Sequence, residues 1–252
     1  MKRPKYLYRF RSNVKNAIDE IEGCYVHAAD PCSLNDEFEG VLFNLPRIPT
    51  IDDNEFEGTD LIRNMQAIDA SKIKKRNDLS NTLYAKLPEI RYVLQKDLLI
   101  GMREKYASNI GISSFTMNIH NPVMWAIYGD MFRGICIAYD YEEMEKFIDS
   151  YENYKLCHVK YGEKIEQQSG FMDYSHKHKE WTHEEEVRLI CSNIQNSMDR
   201  KIVVPKNAIK AIVFGDKVDE IIIERMRQTE VSIFLKAYSD YDDNAVLLFP
   251  IS

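Results

Sequence analysis

Apolar and polar positions along this chain fall into short segments that switch between a period of two and a period near 3.6, which predicts strands and helices in alternation. Tyr6 to Phe10 alternates aromatic with other side chains and predicts an opening strand. Val14 to Ile21 then carries apolar residues at helical spacing until Gly23 stops it. A second strand is expected near Tyr25 to Ala29. From Asp30 to Glu57 the segment reads as a loop, with Pro31, Pro46, Pro49 and two acidic clusters. Asp60 to Ala107 reads as mostly helical: Pro88 suits a first helical turn, and Ile90, Val93, Leu94 and Leu98 form a stripe.

The second half predicts a strand at Ile112 to Thr116, a turn or short helix across Asn121 to Tyr128, and a strand at Ile135 to Tyr139. Tyr141 to Tyr154 carries Met144, Phe147, Ile148 and Tyr151 three, four and seven apart, the spacing of an amphipathic helix. Further strands are expected at Leu156 to Tyr161, Glu186 to Cys191, Lys210 to Phe214 and Ala245 to Ile251, with a long helix over Val218 to Tyr238. The pattern predicts an α+β chain: one domain over 1–252, a mixed or antiparallel split sheet with flanking helices, and a helical insert or layer around 60–107. No Pro/Gly/Ser-rich linker divides it.

Composition changes this picture in two ways. The net charge of -7 removes the overall basic excess that drives sequence-independent nucleic-acid binding, leaving only a short basic run at Lys72, Lys74, Lys75 and Arg76. Five cysteines without a C-x-x-C pair argue against both a disulfide framework and a zinc ribbon. The basic amino terminus lacks an apolar signal core and no window has the length to cross a bilayer, so a cytoplasmic protein without a membrane partner is expected.

Candidate chemistry gathers at a few places. In Trp181-Thr182-His183-Glu184-Glu185-Glu186-Val187-Arg188, a strand would put Glu184, Glu186 and Arg188 on one face. That pattern fits a sheet edge guarded by charge. It equally fits two carboxylates that divide labour, one holding a sugar hydroxyl and one steadying an oxocarbenium-like centre as an N-glycosidic bond breaks. Tyr8-Arg9-Phe10 sets a guanidinium between aromatics, and the planar fork of Arg matches a diphosphate, although an ordinary strand Arg paired to an acid is the plainer outcome. Ser113, Ser114, Trp125 and Tyr128 can cradle a nicotinamide and its ribose, while Trp125 alone also suits a core position. Asn35 and its acidic neighbours Asp36, Glu37 and Glu39 offer either turn stabilisation or ligands. His176, His178 and His183 fit no standard zinc spacing, and no metal site is expected.

Taken in order, Tyr8-Arg9-Phe10, Leu34 to Glu39, Ile112 to Phe115, Met124-Trp125 with Tyr128, Arg133 to Ile137, Val159 to Tyr161 and Trp181 to Arg188 resemble the bacterial domain-of-unknown-function family 2971. The resemblance spans nearly the whole chain. Its order of an Arg on the first strand, a Ser on a middle strand and a late Glu-x-Glu is similar to the ADP-ribosyltransferase superfamily, including DNA- and RNA-modifying toxins. The resemblance implies that NAD is consumed as substrate: Arg9 would hold its diphosphate, Ser114 or Ser113 its nicotinamide ribose, and Glu186 would be the catalytic carboxylate with Glu184 aiding the acceptor. Tyr8, Asn35, Trp125, Tyr128, Trp181 and Arg188 complete the expected nucleotide-contacting set. The acceptor would be a protein or nucleic acid, as for a bacterial toxin or defence effector. The chain departs from better-known transferases in its Asn35-Asp36 loop and lacks a Ser-Thr-Ser run. A metal-dependent hydrolase or nuclease, and a nucleotide sensor without turnover, stand beside this expectation.

Overall fold

The alternation of Tyr6-Leu7-Tyr8-Arg9-Phe10 becomes strand β1 (Tyr6–Arg11) in the computed structural model, which describes residues 3–35, 107–162, 174–240, 242–243 and 245–251. All of these belong to one unit made of Met1–Gly40 and Tyr106–Ser252. The expected helical layer around 60 to 107, apart from its last residue, and the acidic residues Asp36, Glu37 and Glu39 lie outside the described residues.

After β1 come α1 (Val14–Glu22), β2 (Tyr25–His27), β3 (Gly111–Thr116), α2 (Pro122–Ile127), β4 (Ile135–Asp140) and α3 (Tyr141–Asp149). Then follow β5 (Tyr154–His158), β6 (Lys160–Gly162), β7 (His176–His178), β8 (Glu186–Cys191), β9 (Lys201–Val203), β10 (Ile209–Gly215), α4 (Glu220–Met226), β11 (Ile233–Asp240) and β12 (Ala245–Pro250). The helix starts follow from local chemistry. Asn13, Asn121, Asp140 and Asp219 each accept a hydrogen bond from a backbone N–H of the first turn, and Pro122 occupies a position whose N–H would otherwise lack a partner.

Among the described residues, eight strands form one mixed sheet in the order β12-β11-β10-β4-β1-β3-β8-β5. Only β10 and β11 pair in parallel, with α4 crossing between them; the other neighbours are antiparallel. Alternation along the strands divides the core in two. Leu7, Ile135, Ile137, Tyr139, Val187, Leu189, Ile212 and Phe214 pack with α1, α3 and α4 on one face, using Ala17, Ile18, Ile21, Met144, Ile148, Ile223 and Met226. On the other face Cys136, Val213, Ala237 and Val246 meet Trp125 of α2, Ile119 and Phe132, with Tyr8 and Phe10 against them. Among the described residues the fold is thus α+β, with a large mixed sheet and few helices. No helix among the described residues is long and apolar enough to cross a membrane.

Two expected helices are shorter than their periodicity suggests. The helix expected to run to Tyr154 ends at Asp149, because Tyr154 pairs with Cys191 as the first residue of edge strand β5. The long helix expected over Val218 to Tyr238 is only α4. Thr229 donates its hydroxyl to the Met226 carbonyl at 2.7 Å and its N–H to the same oxygen at 3.0 Å, closing the last turn. The β-branched and aromatic residues that follow then align beside β10, where Ile233 to Ala237 pair with Ala211 to Gly215. The polar run Arg227-Gln228-Thr229-Glu230 separates the apolar residues of α4 from those of β11 but includes no Gly or Pro, so a reading without a breaker residue merges the two.

Candidate functional site

The sheet opens where β1 meets β3. These neighbours share a single pairing, Tyr8 with Thr116, whereas β1 pairs with β4 along its full length and β3 pairs likewise with β8. Arg9 spans the resulting split: its Nη1 donates to the Ser114 carbonyl at 3.1 Å, taking an acceptor that the strand ladder leaves open. A cleft of about 280 Å³ occupies the gap, lined by residues of both strands, by Ser33 to Asn35 and Tyr128, and by Lys177, Glu184 and Glu186.

Two ionic networks build its walls. In the first, Glu20 projects from the buried stripe of α1 and is 1% exposed. It accepts from Arg9 Nε (3.3 Å), Arg9 Nη2 (3.4 Å), Arg11 Nε (2.8 Å), Arg11 Nη2 and the His27 N–H (2.7 Å). Burial alone would raise its pKa, but the Arg9 and Arg11 guanidiniums outweigh that and hold it down at about 2. Arg9 also donates to the His27 carbonyl at 2.7 Å, so it ties α1, β2 and the split sheet together. Burial and the neighbouring Arg11 lower the pKa of Arg9 itself, with Glu20 opposing them.

The second network is built around paired carboxylates. Glu186 and Arg188 share one face of β8, as period-two alternation predicts, and Arg188 meets both carboxylate oxygens through Nε (2.7 Å) and Nη2 (2.8 Å) while Nη1 donates to the Tyr174 carbonyl. Glu184 arrives differently from expectation. Lys179–Glu184 is a 3-10 helix, and Glu185 turns the chain with φ of 44° before β8 starts, so Glu184 does not lie on the strand face of Glu186 and Arg188. Lys177 on β7 nevertheless joins the two acids, donating to Glu184 Oε2 at 2.7 Å and standing 3.6 Å from Glu186 Oε2. Tyr128 donates to Glu184 Oε1 at 2.5 Å, Asn35 donates to the Tyr128 hydroxyl, and Lys177 donates to Asn35 Oδ1 at 3.3 Å, closing a ring of four side chains.

Burial pushes the Glu186 carboxyl upward, but Arg188, Lys177 and a hydrogen bond from Ser114 outweigh it and set its pKa below the ordinary carboxylate value. An ionised, dry carboxylate at the floor of a cleft can steady positive charge developing on a bound molecule. A group held this way needs little reorganisation during reaction. Burial, together with the nearby carboxylates, raises the pKa of Tyr161, whose hydroxyl accepts the Glu186 backbone N–H at 2.8 Å.

Of the residues singled out from sequence, the cleft brings together Tyr8, Arg9, Asn35, Ser114, Tyr128, Glu184 and Glu186. Arg188 stands behind Glu186, and Trp181 lies beneath Lys177, whose ammonium is 4.6 Å from the ring centroid. Two others lie elsewhere. Ser113 points to the opposite face of β3 and donates to the His27 carbonyl at 2.9 Å, and Trp125 is a core residue stacked on Phe132 at 5.2 Å with Nε1 bonded to the Ile119 carbonyl. Lys177, Glu20 and Arg11 belong to no motif in the sequence and enter the site only through the fold. The Ser/His/Lys stretch around Lys177 reads as a loop by composition, yet His176–His178 forms β7 with Lys177 buried, and Glu20 sits beside Ala17 and Ile21 on the apolar stripe of α1. Among the described residues, no group of three His, Cys, Asp or Glu side chains is placed to hold a metal ion. No protein-family profile, curated protein or solved structure matches the chain.

Proposed function

We propose that the chain is an ADP-ribosyltransferase-like enzyme that consumes NAD and passes ADP-ribose to a protein or nucleic-acid acceptor. The observation that carries this reading is Glu186, a buried carboxylate held ionised beside Ser114 at the floor of a cleft opened by a split sheet. In the proposed reaction the bond between nicotinamide and the ribose C1′ breaks, and nicotinamide leaves as a neutral molecule with the bonding electrons. The Glu186 carboxylate steadies the oxocarbenium-like ribose. The acceptor nucleophile bonds to C1′ and gives up its proton to Glu184 or water. Lys177 and Arg188 fix the two carboxylates, while Tyr128 and Asn35 hold Glu184 in place. Arg9 acts as a positioning residue that bridges the split between β1 and β3.

One observation favours a second reading, a nucleotide sensor that binds without turnover. Each cleft carboxylate already has a cation, Lys177 on Glu184 and Arg188 across both oxygens of Glu186, so the network is complete without a reacting group. The test is label transfer from NAD labelled in its adenylate half to bacterial protein and nucleic-acid extracts, with wild type and Glu186→Gln compared and products identified by mass spectrometry. Wild-type labelling that disappears in Glu186→Gln supports transfer. Saturable NAD binding with no labelled product by either protein favours the sensor.

A further inference from the structure

The two networks lining the cleft differ in charge balance. Glu184 and Glu186 face Lys177 and Arg188, two against two, whereas the single Glu20 carboxylate faces both Arg9 and Arg11. Among the described residues, one positive charge is left over on the β1 side. Arg9 does not carry it toward solvent: its side chain is 6% exposed, and Nε, Nη1 and Nη2 are all engaged with Glu20, the Ser114 carbonyl and the His27 carbonyl. Arg11 lines the same cleft and is 21% exposed. Its Nε and Nη2 rest on Glu20, and its Nη1 has no hydrogen-bond partner among the described residues.

We propose that Arg11, rather than Arg9, is the side chain that grips the phosphates of a diphosphate-bearing nucleotide in this cleft. The proposal rests on the nucleotide-binding reading above and deepens it. A guanidinium clamped along one edge by a buried carboxylate has already lost most of its rotamer freedom, and its remaining N–H groups offer an anion charge-assisted hydrogen bonds at little further entropic cost. Ser33 and Asn35, on the segment that lines the same cleft, place small polar groups within the same lining. The surplus charge gives the site an electrostatic preference for a polyanion over the uncharged nucleoside.

Isothermal titration of the full chain with ADP, inorganic pyrophosphate and adenosine tests this in wild type, Arg11→Lys and Arg11→Gln. Arg11→Lys keeps a cation beside Glu20 and preserves the fold, which thermal unfolding verifies, but lacks the fork. Wild type is expected to bind ADP, with pyrophosphate competing. Arg11→Lys is expected to weaken both by about tenfold, the scale of one lost charge-assisted hydrogen bond, and to leave adenosine unchanged. Arg11→Gln is expected to weaken them further. Equal ADP affinity in all three proteins, no ADP binding by wild type, or equal losses for adenosine and ADP overturns the proposal. ADP bound through Arg11 by a protein that leaves NAD intact would keep the anion site and end the catalytic reading; NAD turnover with ADP affinity indifferent to Arg11 would do the reverse.

Discussion

Replacing Glu20 with Gln removes one negative charge and little volume, and it strikes the point where α1, β2 and the split edge of the sheet are joined. The carboxylate receives five hydrogen bonds, four of them from two guanidiniums. Its fall from the ordinary 4.5 to about 2 corresponds to roughly 3 kcal/mol of stability at neutral pH. Gln also turns an NH₂ toward the Arg donors and leaves Arg9 buried without a counter-charge, a change that in buried pairs costs about 3 to 5 kcal/mol. Because the folded pKa lies below the unfolded one, this stabilisation is fully present above 4.5 and is lost as pH falls toward about 2. Urea unfolding followed by circular dichroism should therefore show Glu20→Gln roughly 3 kcal/mol less stable at neutral pH, with the gap closing as pH drops through that window. A gap under about 1 kcal/mol, the scale of an exposed ion pair, or one that does not change with pH, would refute the reasoning.

Two further perturbations separate the site from its scaffold. Tyr128→Phe removes the hydroxyl shared by Glu184 and Asn35 and should cost about 1 to 2 kcal/mol of stability; Asn35→Ala added to it should cost less than the sum, since both side chains belong to one ring, and a double-mutant unfolding cycle checks this. Gly215→Ala would place a Cβ 2.1 Å from the Phe132 carbonyl oxygen, a backbone atom that cannot step aside, so the melting temperature should fall by about 10 °C or more; an unchanged melting temperature would contradict the packing of β10 against that turn.

Most of the sheet was legible from alternation. Strands β1, β3, β4, β8, β10 and β12 lie within a residue or so of the bounds that alternation predicts, because each buries one face or both and is bounded by a cap, glycine or charge. The α4–β11 segment was not, since the polar run Arg227 to Glu230 that parts them holds no Gly or Pro to mark a helix end, and β11 is fixed by its pairing with β10. Much the same division holds for the site. Glu186 and Arg188 could be paired from their spacing alone, but Glu184 reaches the cleft through a 3-10 turn and a left-handed residue, which no strand periodicity encodes. Lys177 and Glu20 gain their importance from partners on other elements. For Ser113 and Trp125 residue type was misleading, because a small hydroxyl and an indole suit a tightly packed interior as well as a binding site.

The most direct test of the central claim is the release of nicotinamide from NAD, followed by proton NMR, with wild type and Glu186→Gln at matched concentrations and with folding confirmed for both. The account predicts release by wild type and a loss of about a hundredfold or more in Glu186→Gln, the scale of removing one preorganised charge-stabilising group. Equal release by both proteins, or NAD left intact by a folded wild type in the presence of acceptor extracts, would contradict it.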